Sequence, residues 1–321
     1  MSMTVLGELR RYCAFGFVLE SSLALDLPPA TAEPDVRLHL EFVSTEALQS
    51  GGPGRVLTNH RKYRLRMLCD GSLVFGNLSS AQFVFRRDDP IIRCHVHRDA
   101  DMGQVERVLV DSVMPRWINL HGDLVLHASA VVGPDGRAAI FMGPSGWGKS
   151  TLAAGLALRG WPQLCDDAAR IVAGDEMGVV PSYPAIRLFP PSFEHVGLTP
   201  DQGSPVRRDS AKRQFGPVGG RNFTRTPAPI GHIFTLVRPG ESTALHIEPM
   251  GLADGLASIL SSSFTAPQSE GRVGSRVFEL SCALIAQASV YRLEYPRTME
   301  ILPRVHEMVD RVVRRQGKPA A

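Results

Sequence analysis

Between Tyr12 and Val96 the chain is written in short runs in which apolar and polar positions alternate or apolar residues cluster: YCAFGFVLES, VRLHLEFV, YRLRMLCDGSLVFGN, AQFVFRR and IIRCHVH. Runs of this length, rich in Val, Phe and Tyr and bounded by turn residues, predict strands, and so a mostly β N-terminal domain over residues 1–103. The period then changes. From Gln104 to Leu120 the residues Val105, Val108, Leu109, Val113 and Trp117 recur at three- and four-residue steps, the stripe of a helix that bridges to the second half of the chain.

Beyond that helix, LVLHASAVV and RAAIFMG read as strands joined by the turn GPDG. Ser150–Arg159 reads as a helix that Gly160 ends, and QLCDD as a buried strand. Further strands are expected at ARIVAG, GVVPSYP, AIRLF, HIFTLV, ALHIEP and VYRLEYP, with helices near residues 252–262, 275–289 and 298–315. Thr199 to Ile230 holds several Pro and Gly together with Arg207, Arg208, Lys212, Arg213, Arg221 and Arg225, and reads as a long mobile loop. The expected class is α/β in the α+β sense. A second domain over residues 104–316 would carry a mixed sheet with flanking helices, followed by a disordered tail at 317–321.

Composition narrows the function. The 35 Lys+Arg against 32 Asp+Glu leave a formal charge of +3, too little for a polyelectrolyte field, so nucleic acid is not an expected partner. Five scattered cysteines without CxxC spacing suit a reducing cytoplasm better than a disulfide framework or a zinc site. No signal peptide is read at the N-terminus, and no apolar run is long enough to predict a membrane span.

The chemistry starts at Gly143-Pro144-Ser145-Gly146-Trp147-Gly148-Lys149-Ser150, a full GxxxxGKS phosphate loop placed after a strand and opening a helix, with Thr151 the last residue of the expected nucleotide-binding stretch. Its glycines let backbone N–H groups face phosphate oxygens, and the helix N-terminus adds partial positive charge. Lys149 would reach the β- and γ-phosphates and Ser150 would hold Mg²⁺. Trp147 occupies a variable position and is expected to point away from the phosphates. No NKxD guanine reader lies downstream and no ABC signature does, so GTPase and motor readings fall away.

Asp166 and Asp167 end a strand 17 and 18 residues past Lys149, where strand-helix-strand topology returns the chain beside the loop. One carboxylate could serve Mg²⁺ while its neighbour accepts the proton of an attacking hydroxyl. The plain alternative is a pair of acids that starts a turn. His127, between apolar neighbours, reads as either a core histidine or a catalytic one. In CHVH, His95 and His97 share one strand face without an identifiable third ligand, so packing or surface roles are favoured.

His127, GPSGWGKS, Arg159-Gly160 and Asp166-Asp167 together resemble the catalytic domain of HPr kinase/phosphorylase, whose fold is shared with phosphoenolpyruvate carboxykinase. The likeness covers about 45 residues well, from His127 to Ile171. It implies an ATP- and Mg²⁺-dependent serine kinase in which Lys149 and Ser150 contact phosphate and metal, and Asp167 deprotonates the acceptor. Asp166 would be the metal-side partner and His127 a supporting group. The family's further Mg²⁺-binding glutamate has Glu194 as its nearest candidate, with Arg187 close by, but PAIRLFPPSFEHVG matches the family's segment poorly, so the reverse, phosphorolytic reaction is not expected. A cation from the basic segment, Lys212 or Arg213, would stabilise the transferring phosphoryl group, and self-association is implied by the same likeness. The opening YCAFGFVLESSLALDLPP is similar to HPr-kinase-like proteins of peptide-tailoring systems, including lasso-peptide kinases, which ranks a peptide hydroxyl among the acceptors. The expectation is transfer to a protein or peptide hydroxyl. An ATP-binding regulatory or scaffold module, or a kinase of a small-molecule hydroxyl, stays open beside it.

Overall fold

A computed structural model describes residues 3–4, 8–44, 54–60, 63–77, 81–206, 210–218, 223–237, 245–264 and 272–316. The expected tail at 317–321 and the basic residues Arg207, Arg208 and Arg221 lie outside the described residues. The chain divides into two compact units, Met1–Asp123 with Phe264–Ser275, and Leu124–Ser263 with Arg276–Ala321.

In the first unit nine strands form one sheet: β1 (Met3–Thr4), β2 (Arg10–Ala14), β3 (Phe17–Ser21), β4 (Val36–Val43), β5 (Arg55–His60), β6 (Tyr63–Met67), β7 (Leu73–Asn77), β8 (Ala81–Phe85) and β9 (Ile91–His97). They run in the order β2-β3-β4-β9-β8-β7-β6-β5, with β1 on β4. YCAFGFVLES is therefore a hairpin and not one strand. Phe15 and Gly16 turn it with φ of 56° and 73°, the positive pair that matches the twist of two antiparallel strands.

The helical stripe forms α1 (Met102–Val108), a π segment (Leu109–Val113) and α2 (Met114–Leu120), with Asp101 capping the first N–H groups. Pro115 explains the π segment: it has no N–H to donate and its ring crowds the carbonyl four residues back, so the ladder widens there. This stretch belongs to the first unit, so the division falls at 123/124 and not at 103/104 as the change of period suggested. Packing is the reason. Trp117 meets Phe17 edge-on at 5.4 Å, and Glu106 accepts the Asp26 N–H at 2.7 Å.

The second unit is mixed α/β. Its strands are β10 (Leu124–Leu126), β11 (Ala128–Val132), β12 (Ala138–Met142), β13 (Gln163–Cys165), β14 (Ala169–Val172), β15 (Gly178–Val180), β16 (Ile186–Leu188), β17 (Ser204–Pro205), β18 (Arg213–Phe215), β19 (Ala228–Leu236), β20 (His246–Pro249) and β21 (Ser289–Glu294). The main sheet runs β10-β14-β15-β19-β12-β11-β13, with β21 joining β19 to β20; β12-β19 and β19-β21 are parallel. Its helices are α3 (Lys149–Leu158), α4 (Pro190–His195), α5 (Leu252–Ser261), α6 (Arg272–Gln287) and α7 (Leu302–Gln316).

Both faces of this sheet are covered, which is why β10, β12, β13 and β15 are buried along their whole length and do not alternate. Ile140, Ile171, Ile233, Leu280 and Leu284 pack on one side, while Phe141, Leu152, Leu156, Phe234, Val305 and Val309 pack on the other, where α3 and α7 lie. Phe141 and Phe234 stack at 5.5 Å, each fully buried, and a side chain of that size contributes about 1.5–3 kcal/mol by leaving water.

The expected loop from Thr199 to Ile230 is in part structured. Residues Pro200–Gln202 make a 3₁₀ turn, and β18 pairs with β16 on one side and β17 on the other in a small three-stranded sheet. Phe215 anchors this sheet by packing on Phe193 at 5.2 Å, in a cluster that Val218 joins.

Candidate active site

Sheet direction gathers the site. β11 is antiparallel to both β12 and β13, so β12 and β13 point the same way and end at the edge where β11 begins. The loop after β12, the two aspartates after β13 and the histidine before β11 thus meet at one end. His127 sits in a break between β10 and β11 and not within a continuous strand, and its N–H is held by the Ser262 carbonyl at 2.6 Å.

The phosphate loop needs its glycines. Gly143 and Gly148 have φ of 143° and 93°, and a Cβ would come within 3.0 Å of the Leu236 carbonyl oxygen or 2.8 Å of Tyr295 Oη. Pro144, Ser145 and Gly146 are exposed, while Ser150 opens α3 half-buried. Lys149 is buried and folds back across the loop: Nζ donates to the carbonyls of Gly143 at 2.7 Å and Pro144 at 3.2 Å and lies 3.1 Å from His127 Nε2. With the ammonium as donor, His127 Nε2 accepts, and Nδ1–H donates to the Asp167 carbonyl at 2.8 Å. A neutral ring fits that role. Burial lowers its pKa, and the Lys149 charge lowers it further. Burial also lowers the pKa of Lys149, against the pull of Asp167 and Asp166. Thr151 turns its hydroxyl to Ser192 of α4 at 2.8 Å.

The two aspartates differ sharply. Asp166 points inward, accepting from Ser129 Oγ at 2.6 Å and from the Arg187 N–H at 2.9 Å, and burial with the adjacent Asp167 charge raises its pKa. Asp167 has φ of 62° at the centre of a three-residue turn closed by the Ala168 N–H on the Asp166 carbonyl at 2.8 Å. Such backbone strain on a non-glycine residue is found preferentially at functional sites. Its side chain keeps 20% exposure, with Arg187 Nη1 at 3.4 Å and Lys212 Nζ at 3.6 Å. Burial alone would raise its pKa, but Lys212, Arg187, His127 and Lys149 outweigh it and hold the carboxyl at about 2.

Arg187 is itself locked, Nη2 on Tyr183 Oη and Nε on Gln214 Oε1, each at 2.9 Å. Of the two cations proposed from the basic segment, Lys212 reaches Asp167 and Arg213 does not. Arg213 Nη1 instead donates to the Gly203 carbonyl at 2.8 Å. Glu194 is exposed on α4, and it is Ser192 of that helix that turns to the loop. Trp147 packs its ring under the Arg297 guanidinium, 4.2 Å from the ring centroid. Residues the sequence did not single out are Ser129, Tyr183, Gln214 and Arg297. Ser129 had a signal, two positions past His127 on a run of period two. In the first unit His95 meets Glu41 at 3.3 Å.

Among the described residues, no three His, Cys, Asp or Glu side chains gather into a metal cage. A hard cation at this end would rest on Ser150 and Asp166 and complete its shell with phosphate and water oxygens, as Mg²⁺ commonly does. Each Asp166 oxygen already accepts one hydrogen bond, from Ser129 Oγ or the Arg187 N–H, and would offer such a cation its second lone pair.

No family model matches the chain, and no curated protein matches it. Among solved structures, one of 87 matching chains is the Hpr(Ser) kinase/phosphatase from Coxiella burnetii. The two are 13% identical with a TM-score of 0.33, and the match spans 60% of this chain and 99% of that one. With a likeness of that size, the functional reading rests on the site's own geometry.

No described helix is long and apolar enough to cross a membrane.

Proposed function

We propose that the second unit is an ATP-dependent kinase that moves the γ-phosphoryl group to a serine hydroxyl of a protein or peptide, acting in the cytoplasm. One observation carries the reading: Asp167, strained and ionised, is held by cations beside a glycine-rich loop that closes over a buried lysine.

Phosphate oxygens would take the loop N–H groups and the N-terminus of α3, and Lys149 Nζ would exchange the Gly143 and Pro144 carbonyls for the β- and γ-phosphates. Mg²⁺ held by Ser150 and Asp166 would neutralise charge on the phosphates. The acceptor oxygen attacks the γ-phosphorus in line while its proton passes to a carboxylate oxygen of Asp167. The bond to the bridging oxygen breaks and its electron pair leaves with ADP. Lys212, 3.6 Å from Asp167, would stabilise the charge that develops on the equatorial oxygens. Once the phosphates share these cations, Asp167 loses part of the field that holds it near 2 and becomes the better base. His127 keeps Lys149 aimed and, through the Asp167 carbonyl, pins the strained turn. The segment PAIRLFPPSFEHVG, which matches poorly the one tied to phosphorolysis, gives no support to the reverse reaction. The forward direction alone is proposed.

The test is incubation with γ-labelled ATP, Mg²⁺ and a peptide library or lysate, beside Lys149→Met. Acid-stable phosphoserine made by the native protein and absent with the variant supports the kinase. Normal ATP binding with no labelled acceptor overturns it in favour of a binding module, and label found only in small metabolites moves the acceptor to that class.

A further inference from the structure

The rim of the phosphate loop carries a pair that phosphate chemistry leaves unused. Trp147 stands in the loop with the Arg297 guanidinium over its ring at 4.2 Å, and Arg297 Nη1 approaches the Gly146 carbonyl at 3.5 Å. Arg297 is exposed and Trp147 is half-buried, its inner side packed on the cluster that includes Met299, Ile301 and Tyr295. Topology puts them together. β21 lies parallel to β19, which lies parallel to β12, so the segment after β21 emerges at the same end as the phosphate loop. Tyr295 of that segment sets its Oη against Gly148, and Arg297 lies two residues on. The crevice outside the carboxyl ends of parallel strands is where nucleotides bind in open α/β sheets.

A guanidinium centred 4.2 Å over an indole, on an exposed arginine, leaves its outer side to solvent. A planar, delocalised cation that is weakly hydrated is a surface on which a heterocyclic base stacks, and the indole beneath holds it in that plane. Arg297 fixed this way loses little freedom when a base arrives. We propose that Trp147 and Arg297 form a nucleobase platform, so that a purine nucleoside triphosphate is read at two points, its phosphates by the loop and its base by the outer face of Arg297. This rests on the nucleotide-binding part of the proposed function, and on neither the acceptor nor Asp167. Purines are preferred over pyrimidines because the larger ring system covers more of the guanidinium plane.

The experiment compares the affinity of the full chain for Mg²⁺-tripolyphosphate with that for ATP and CTP, in the native protein, Arg297→Ala and Trp147→Phe. Tripolyphosphate reads the loop alone. ATP is expected to bind roughly five- to a hundredfold tighter than tripolyphosphate in the native protein, with CTP between them. In Arg297→Ala that ratio collapses toward one while tripolyphosphate binding stays within about threefold. Trp147 fluorescence should respond to ATP and not to tripolyphosphate, a signal that Trp147→Phe removes while keeping an aromatic ring under Arg297. Equal affinity for ATP and tripolyphosphate in the native protein, or an ATP advantage that survives Arg297→Ala, overturns the platform and leaves the phosphate loop standing. If neither ligand binds, the loop reading fails and the platform with it.

Discussion

The two ends of the second unit's central sheet each hold a histidine, His127 half-buried and His232 buried, and they use it in opposite ways. At the end where β12 and β13 finish, His127 touches the amine of Lys149 and the carbonyl of Asp167, both of which belong to groups that stay available to a ligand. At the other end, His232 is closed on Asp135 at 3.1 Å, the two side chains 3% and 6% exposed, in a stack with Phe234 and Tyr291. Burial lowers both histidines' pKa values. A depressed histidine is therefore not the mark of a site in this protein. The difference lies in the partner, since the distal carboxylate is consumed by its histidine while Asp167 faces several cations that a phosphate can take over.

The largest effect that would break this contrast is at Lys149. Lys149→Met keeps the stem that fills the loop and removes the charge, so transfer should fall by about 10³ or more and tripolyphosphate affinity with it, while thermal stability stays close to native. A variant that still transfers at a tenth of the native rate would show that the loop lysine is only packing.

A third histidine, buried, sharpens the structural side. His306 of α7 lies against Gly155 of α3, where an added methyl would collide with the ring, and its pKa is lowered to about 4, chiefly by burial, then by Arg159 and His195. The native state refuses a proton that the unfolded chain accepts. Stability from this group is thus complete above its unfolded value near 6.5 and is lost as pH falls through about 4, by about 3 kcal/mol at most. Denaturant titrations at stepped pH should show that slope, and His306→Leu should flatten it.

Removing the distal carboxylate should cost less. Asp135→Ala leaves a buried imidazole without its acceptor, and unfolding free energy should drop by about 2 kcal/mol with the triphosphate Kd unchanged. A tenfold loss of affinity there would mean that the two ends are coupled through the sheet. The smallest effect is expected at Glu194→Gln, exposed on α4. Its Mg²⁺ dependence should match the native protein within about twofold.

Legibility in the sequence divides along the same line. GPSGWGKS, the apolar strand before it and the acids 17 and 18 residues later are local patterns, and their meeting at one sheet end results from strand direction alone. The partners of Asp166 were hidden, because Ser129 and the Arg187 N–H reach it from elements 37 and 21 residues away, through pairing register. Lys212 and Arg213 are told apart only by their partners in the fold, Asp167 for the one and the Gly203 carbonyl for the other. The basic segment reads as structureless because buried Phe215 and Val218, three positions apart among Pro, Gly and Arg, do not make a period. The boundary moved to 123/124 because Trp117 and Glu106 chose partners far upstream. The positive φ of Asp167 had no local cue, since turns of that hand favour glycine or asparagine.

The most direct test is Asp167→Asn, assayed for ATP affinity and for single-turnover transfer in the same preparation. Asparagine accepts the left-handed backbone and keeps the size of the side chain but cannot take a proton. If Asp167 is the base, ATP binds within about fivefold of native and transfer slows by about 10²–10⁴. Transfer at near-native rate would contradict that role, and would return Asp167 to a strained turn that merely gathers cations.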